Sequence, residues 1–259
     1  MLQLALVQMF SEKGSIQQNL HTIAHHLAEA AAHGADVLAL PEMSLTGYAD
    51  PTRYPHAVLR LDGPEVAALL KLTQPYDLTL LAGLIEHNPA GKPFITHLVA
   101  RRGQLLGVYR KITIKDEEAA WFSPGTDVPV FTLREWTFGL AICADIDNPA
   151  VFAGCRQAGA QIVFEVAAPG LYGEQAGRNW ESGYRWWEGK CREQLGAYAR
   201  DNGLWIAVAT QAGRTVDEDF PGGGYLFAPS GERIAATAGW SPGVLYVTAE
   251  MSRQPAPHE

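Results

Sequence analysis

Apolar positions open the chain in two rhythms, one short and continuous, the other spaced by three and four. Residues 2–8 (LQLALVQ) are an apolar run that predicts a first strand. Ser15-Ile16-Gln17-Gln18 then has the pattern of a capping box, and Ile16, Leu20, Ile23, Leu27 and Ala30 recur at helical spacing until Gly34 stops them. Residues 36–40 read as a buried strand ended by Pro41. A loop rich in Gly, Tyr and Pro leads to a helix starting near Pro64. LTLLAGL, FITHLVA and LLGVYRK follow as three successive strands, with residues 88–92 as one of the turns.

The second half repeats this logic. VPVFTLR and TFGLAIC predict strands, and a helix starts at Asn148-Pro149 and ends near Gly159. IVFEVA is a strand, residues 183–202 a long helix, and LWIAVAT, GYLFAP and GVLYVTAEM finish the pattern. Strand–helix–strand units give way to runs of strands in both halves. That order predicts an α/β fold of two sheets packed face to face with helices outside, a four-layer α-β-β-α sandwich. No linker or repeat divides the 259 residues, so one domain over 1–259 is expected, with 252–259 as a loose tail.

Composition narrows the partners. Apolar residues make up 47% of the chain, enough for a sizeable core, and the formal net charge is −8 with both signs interspersed. Phosphate binding relies on clustered Lys and Arg, so a nucleic-acid partner is not expected. No apolar run reaches the roughly 20 residues of a membrane helix, and the first strand lacks the basic flank of a signal peptide. Three cysteines without CxxC spacing cannot all pair within one chain; the expected location is the reducing cytoplasm.

Four polar residues stand at or near element ends, where catalytic groups tend to lie on a rigid scaffold. Glu42 follows a strand and Pro41, Lys111 closes LLGVYRK, Glu118 lies in the loop after it, and Cys143 ends TFGLAIC. Each alone has an ordinary structural explanation. Together they supply a thiol, a base to deprotonate it and a cation for a developing oxyanion. Asn148-Pro149, five residues on, reads as the N-terminus of a helix, whose partial positive charge is expected to lower the Cys143 pKa. Cys155 and Cys191 fall inside helices and read as packing.

Leu40-Pro41-Glu42 with Gly47-Tyr48, then Tyr109-Arg110-Lys111, then Gly139-Leu140-Ala141-Ile142-Cys143-Ala144-Asp145 resemble, in order and separation, the three signature segments of the nitrilase superfamily. Glu118, seven positions before the Gly of Phe122-Ser123-Pro124-Gly125, is similar to that family's second glutamate. The resemblance spans essentially the whole chain. It implies an amidase-like enzyme that hydrolyses small amides or carbamoyl compounds, usually as a homodimer or higher homo-oligomer, without metal or organic cofactor. It also implies roles. Cys143 would be the nucleophile, Glu42 the general base, Lys111 the oxyanion cation with the Ala144 N–H beside it, and Glu118 a substrate-positioning or proton-shuttling group. Tyr48, Trp121, Ala144 and Asp147 would contact substrate, in a pocket walled by loops around residues 43–60, 121–128 and 168–185. Nitrile hydrolysis and acyl transfer to an amine are the alternatives that use the same residues.

The stretch after the nucleophile departs from the family's pattern: Asp147 stands where many amidase-type members have Arg, and Ala150 where they have Glu. An unpaired Asp147 facing the pocket would repel anionic substrates and favour neutral or amine-bearing amides. Three other features carry less. His21 and His25 are spaced as two metal ligands might be, but a solvated helix face accounts for them. Gly222-Gly223-Gly224 lacks the Lys and Ser or Thr of a phosphate loop and reads as a flexible loop. Trp180, Trp186 and Trp187 fit a pocket wall, a subunit interface or a helix anchor equally well.

Overall fold

The computed structural model describes residues 1–251 except 116 and 172, so the tail expected at 252–259 lies outside the described residues. The chain opens with β1 (Leu2–Gln8), α1 (Ile16–Ala32), β2 (Val37–Ala39), β3 (Val58–Leu59) and α2 (Pro64–Thr73). The run of β4 (Thr79–Glu86), β5 (Phe94–Arg101) and β6 (Gln104–Arg110) follows. Next come β7 (Phe131–Leu133), β8 (Trp136–Ile142), α3 (Pro149–Gln157) and β9 (Ile162–Ala167). α4 (Trp180–Lys190) continues through a π-helical segment (Cys191–Leu195) into α5 (Gly196–Asn202). The chain closes with β10 (Trp205–Thr210), β11 (Ala212–Arg214), β12 (Asp219–Pro221), β13 (Gly224–Phe227), β14 (Arg233–Ala236) and β15 (Gly243–Ala249).

Among the described residues these strands form two large sheets, in the orders β15-β1-β2-β4-β5-β6, with β3 on β4, and β14-β13-β10-β9-β8-β7; β11 and β12 form a separate hairpin. β1, β2 and β4 run parallel, as do β8, β9 and β10, because a helical crossover separates most of them. β1 packs across onto β10 and β13 of the other sheet, while α1 and α2 cover the first sheet and α3, with α5 packed against it, the second. The α-β-β-α sandwich read from the sequence is the architecture observed. Its interior is apolar from both sides: Leu4, Leu6, Val208 and Leu226 are fully buried or nearly so. Each such side chain contributes about 1.5–3 kcal/mol relative to exposure.

Details differ from the sequence reading. Ser15 is the N-cap of α1, yet its side chain makes no capping bond, so the capping box is not formed. The long helix begins at Trp180 rather than 183 and contains the π-helical segment. Gly222 and Gly223 are buried and left-handed (φ 67° and 118°), and Gly223 N donates to Gln8 Oε1, so this stretch is an anchored bend rather than a loose loop. No helix of the described residues is long and apolar enough to cross a membrane.

Candidate active site

Glu42 owes its position to a turn stitched onto the neighbouring strand. Leu40 N still pairs with Leu81 O (3.0 Å), after which Pro41 ends the ladder. Met43 then takes a left-handed conformation (φ 50°), costly for a side-chain-bearing residue, and the turn is pinned by Leu45 N to Gly83 O (2.8 Å) and Gly83 N to Ser44 Oγ (2.9 Å). Gly83 is required there, because a Cβ would overlap the backbone nitrogen of Met43. Lys111 follows β6, its N–H still donating to Ile95 O (2.9 Å) while its carbonyl accepts from Gly125 N (2.7 Å). A Cβ on Gly125 would overlap the Arg110 carbonyl, so the Ser-Pro-Gly stretch acts as a clamp on the lysine's backbone.

Cys143 does not end a strand. β8 stops at Ile142, and Cys143 (φ 47°) begins a 3-10 turn over Cys143–Asp147 that precedes α3. Asn148 caps α3 through Ala150 N, with Pro149 first in the helix, as the sequence suggested. The expected lowering of the thiol pKa by that helix is not what the site produces. Burial and the Glu42 carboxylate push the Cys143 thiol well above its usual range, and Lys111 only partly opposes them.

The four candidate residues meet. Lys111 Nζ donates to Glu42 Oε1 (2.9 Å) and Glu118 Oε1 (2.6 Å), and the Cys143 thiol lies near enough to Glu42 for each to perturb the other's ionisation. Glu42 is wholly buried and Lys111 only 1% exposed, so burial pushes the Glu42 carboxyl up against the pull of Lys111. Burial would push the lysine down, but Glu42 and the other anionic neighbours more than offset it and hold the ammonium protonated. Glu118 Oε1 also accepts from Tyr48 OH (2.6 Å), and its Oε2 from Lys115 N (3.1 Å). Glu42 and Lys111 come from the first sheet and Cys143 from the second, so the site sits where the two sheets face each other.

Sequence reasoning missed two parts of this site. Ala168 N, just past β9, donates to Glu42 Oε2 (3.1 Å) and fixes the second carboxylate oxygen. Asp145, buried, accepts from Tyr109 OH (2.6 Å), Thr113 N (2.7 Å) and Ile142 N (3.0 Å), tying the Cys143 turn to the segment around Lys111. Its place in the motif was visible; its partners more than thirty residues upstream were not.

A cavity of about 840 Å³ opens onto Cys143. Tyr48, Trp121, Ala144 and Asp147 all line it, joined by Leu171 from an expected wall and by Trp187, Lys13, Lys115, Lys190 and Glu218 from outside the expected segments. Trp187 is also an anchor, its Nε1 donating to Thr210 Oγ1 (2.9 Å). Asp147 does not present the unpaired charge expected of it. Its carboxylate meets Lys115 Nζ (2.5 Å), Lys190 Nζ (2.8 Å) and Gln194 Nε2 (3.2 Å), which together hold its pKa down to about 2. His21 and His25 lie on α1, away from this cavity, and no group of three or more His, Cys, Asp or Glu among the described residues is placed to hold a metal ion.

Residues 3–254 match the family model described as carbon-nitrogen hydrolase. The chain belongs to that family. The bond class that the family's description names, carbon–nitrogen, is the one hydrolysed. A solved amidase of Nesterenkonia sp. AN1, a Glu-to-Gln mutant with acrylamide added to its active-site cysteine, superposes with a TM-score of 0.82 at 25% identity, covering 96% of this chain and 94% of that one. The chain is 28% identical over 222 residues to a hydrolase of Pseudomonas protegens, covering 84% of this chain and 71% of the relative. It is 29% identical over 153 residues to a glutamine-dependent NAD(+) synthetase of Thermotoga maritima, covering 57% of this chain but only 26% of that protein's length.

Proposed function

We propose that the hydrolase cleaves small amides or carbamoyl compounds through a Cys143 acyl-enzyme. The observation that carries this reading is the chain of contacts from thiol to Glu42 to Lys111 to Glu118 on the floor of a substrate-sized cavity. Glu42 takes the thiol proton as sulfur attacks the carbonyl carbon, which suits a thiol whose own pKa is too high for it to ionise alone. The oxyanion of the tetrahedral intermediate forms beside Lys111 Nζ and the Ala144 N–H, which lies in the first turn of a helix where donors have no intrahelical partner. Glu42 returns its proton to the departing amine, leaving a thioester. It then takes a proton from the attacking water, and collapse of the second intermediate expels the thiol and frees the acid. Glu118, held by Tyr48, keeps Lys111 in place and faces the substrate nitrogen. The amidase likeness supports an amide over a nitrile substrate. Three free cysteines suit a reducing cytoplasm, and we infer a homodimer, to be checked by sedimentation.

Intact-mass detection of an acyl adduct, across a panel of amides, carbamoyl amines and nitriles, tests this reading. We expect an amide-derived adduct on Cys143, lost together with turnover in Cys143→Ala, and retained in Cys155→Ala. Near-normal hydrolysis by Cys143→Ala would overturn it.

A further inference from the structure

We propose that Lys115 and Lys190, gathered on Asp147 at the cavity rim, form an anion subsite that selects substrates carrying a carboxylate at the end remote from the scissile bond. The reacting end of this proposal rests on the amide-hydrolase reading; the anion end does not.

The cluster joins three separate elements: the loop after Lys111, the end of the 3-10 turn that begins at Cys143, and the end of α4. Lys190 and Gln194 reach Asp147 from either side of the start of the π-helical segment, a helix irregularity that recurs at functional sites. The cluster's outer member is solvated, Lys115 being 55% exposed, and an exposed pair of that kind contributes little to stability. Charge balance points the same way. Elsewhere on the rim Lys13 and Arg53 are matched by Asp217 and Glu218. On the floor one ammonium, Lys111, lies between two carboxylates, Glu42 and Glu118. Here, among the described residues, the two ammonium groups of Lys115 and Lys190 both pair with one carboxylate, Asp147; Glu117, also on the lining, is exposed to solvent.

Donor capacity is also left over. An ammonium has three N–H donors. Among the described residues Lys115 spends one on Asp147 and Lys190 spends its contacts on the two Asp147 oxygens, which leaves donors on both for a second carboxylate. The cavity that holds both this cluster and Cys143 is also lined by Ala144, Ile146 and Trp187, which suits an apolar spacer. The carboxylate could sit on the acyl side, as in the monoamide of a dicarboxylic acid, or on the amine side, as in an N-carbamoyl amino acid. Both present the same group to the lysines. This proposal is the opposite of the expectation of neutral or amine-bearing substrates, which took Asp147 as an unpaired charge.

The test is calorimetric binding to Cys143→Ala protein, which holds substrate without consuming it. Glutaramate, N-carbamoyl-4-aminobutyrate, pentanamide and 5-aminopentanamide are compared at low salt. We expect at least one carboxylate compound to bind about tenfold tighter than pentanamide, and the stronger of the two identifies the side on which the carboxylate lies. Adding Lys190→Met or Lys115→Met should bring that ratio towards one. Adding Asp147→Asn should raise it several-fold, because it removes the competing acid. Loosened packing would instead lower affinity in all three variants. Equal binding of pentanamide and both anions, or weakened anion binding in the Asp147→Asn background, would overturn the proposal. Tight glutaramate binding with no hydrolysis by the unmutated enzyme would count against the amide reading and leave the anion subsite standing.

Discussion

Glu42 and Cys143 each hold a proton longer than they would in water, for the same reason: burial penalises the charge that either would carry. If Glu42 must be ionised to accept the thiol proton, activity appears only as pH rises through its elevated pKa. The expected kcat/KM profile therefore climbs to a plateau with its midpoint above 4.5, the carboxyl's ordinary value, and no further rise marks the range where free thiols titrate. A midpoint at or below 4.5, or a second rise near 8–9, would show that thiol ionisation is independent of Glu42. Glu165 is the other residue that stands out. It lies on β9 between Ala141 and Val208, fully buried, and neither of its oxygens has a hydrogen-bond partner among the described residues. Burial, then nearby Asp145, push its pKa well up. A carboxyl raised in the folded state costs stability as pH rises through the unfolded value towards the folded one. Glu165→Leu should thus stabilise the protein by about 1–3 kcal/mol at pH 8 and by less at pH 4, measured by urea unfolding at both. An equal gain at the two pH values would mean that Glu165 imposes no ionisation penalty.

The elements themselves explain why some of the site could be read from the chain and some could not. Glu42, Lys111 and Cys143 were legible because each follows a long apolar run, and β4, β5, β8, β9 and β10 were legible for the same reason. β11 and β12 were not. Ala-Gly-Arg and Asp-Phe-Pro have no alternation, and they pair because Arg214 bridges Asp219 while Ala212 N reaches Met9 O. The Asp147 environment was misjudged because its lysines lie 32 residues before it and 43 after it. Gly83 lies in between: an unremarkable glycine in a strand, its reason visible only once the Glu42 turn packs against it. Gly83→Ala should therefore do more than weaken β4. Its Cβ must displace the Met43 backbone, so we expect about 1–3 kcal/mol of lost stability together with a loss of activity far beyond what partial unfolding explains. Denaturant titration alongside kcat on the same samples checks this. Full activity per folded molecule would show that the Glu42 turn tolerates the shift.

At the scale of the whole molecule, neither sheet owns the chemistry. Glu42 and Lys111 come from one and Cys143 and Ala168 N from the other, so the site exists only when both are built and docked. The first sheet is itself assembled from both ends of the described chain, since β15 pairs along the full length of β1 from Leu2↔Ala249 to Gln8↔Gly243. During synthesis β1 emerges long before β15 and waits, one edge unpaired, until β15 follows. An exposed apolar edge of that kind is a template for wrong pairing. The growing chain thus carries an aggregation hazard in β1 and its remedy in β15, and the first sheet is complete only after β15 has emerged.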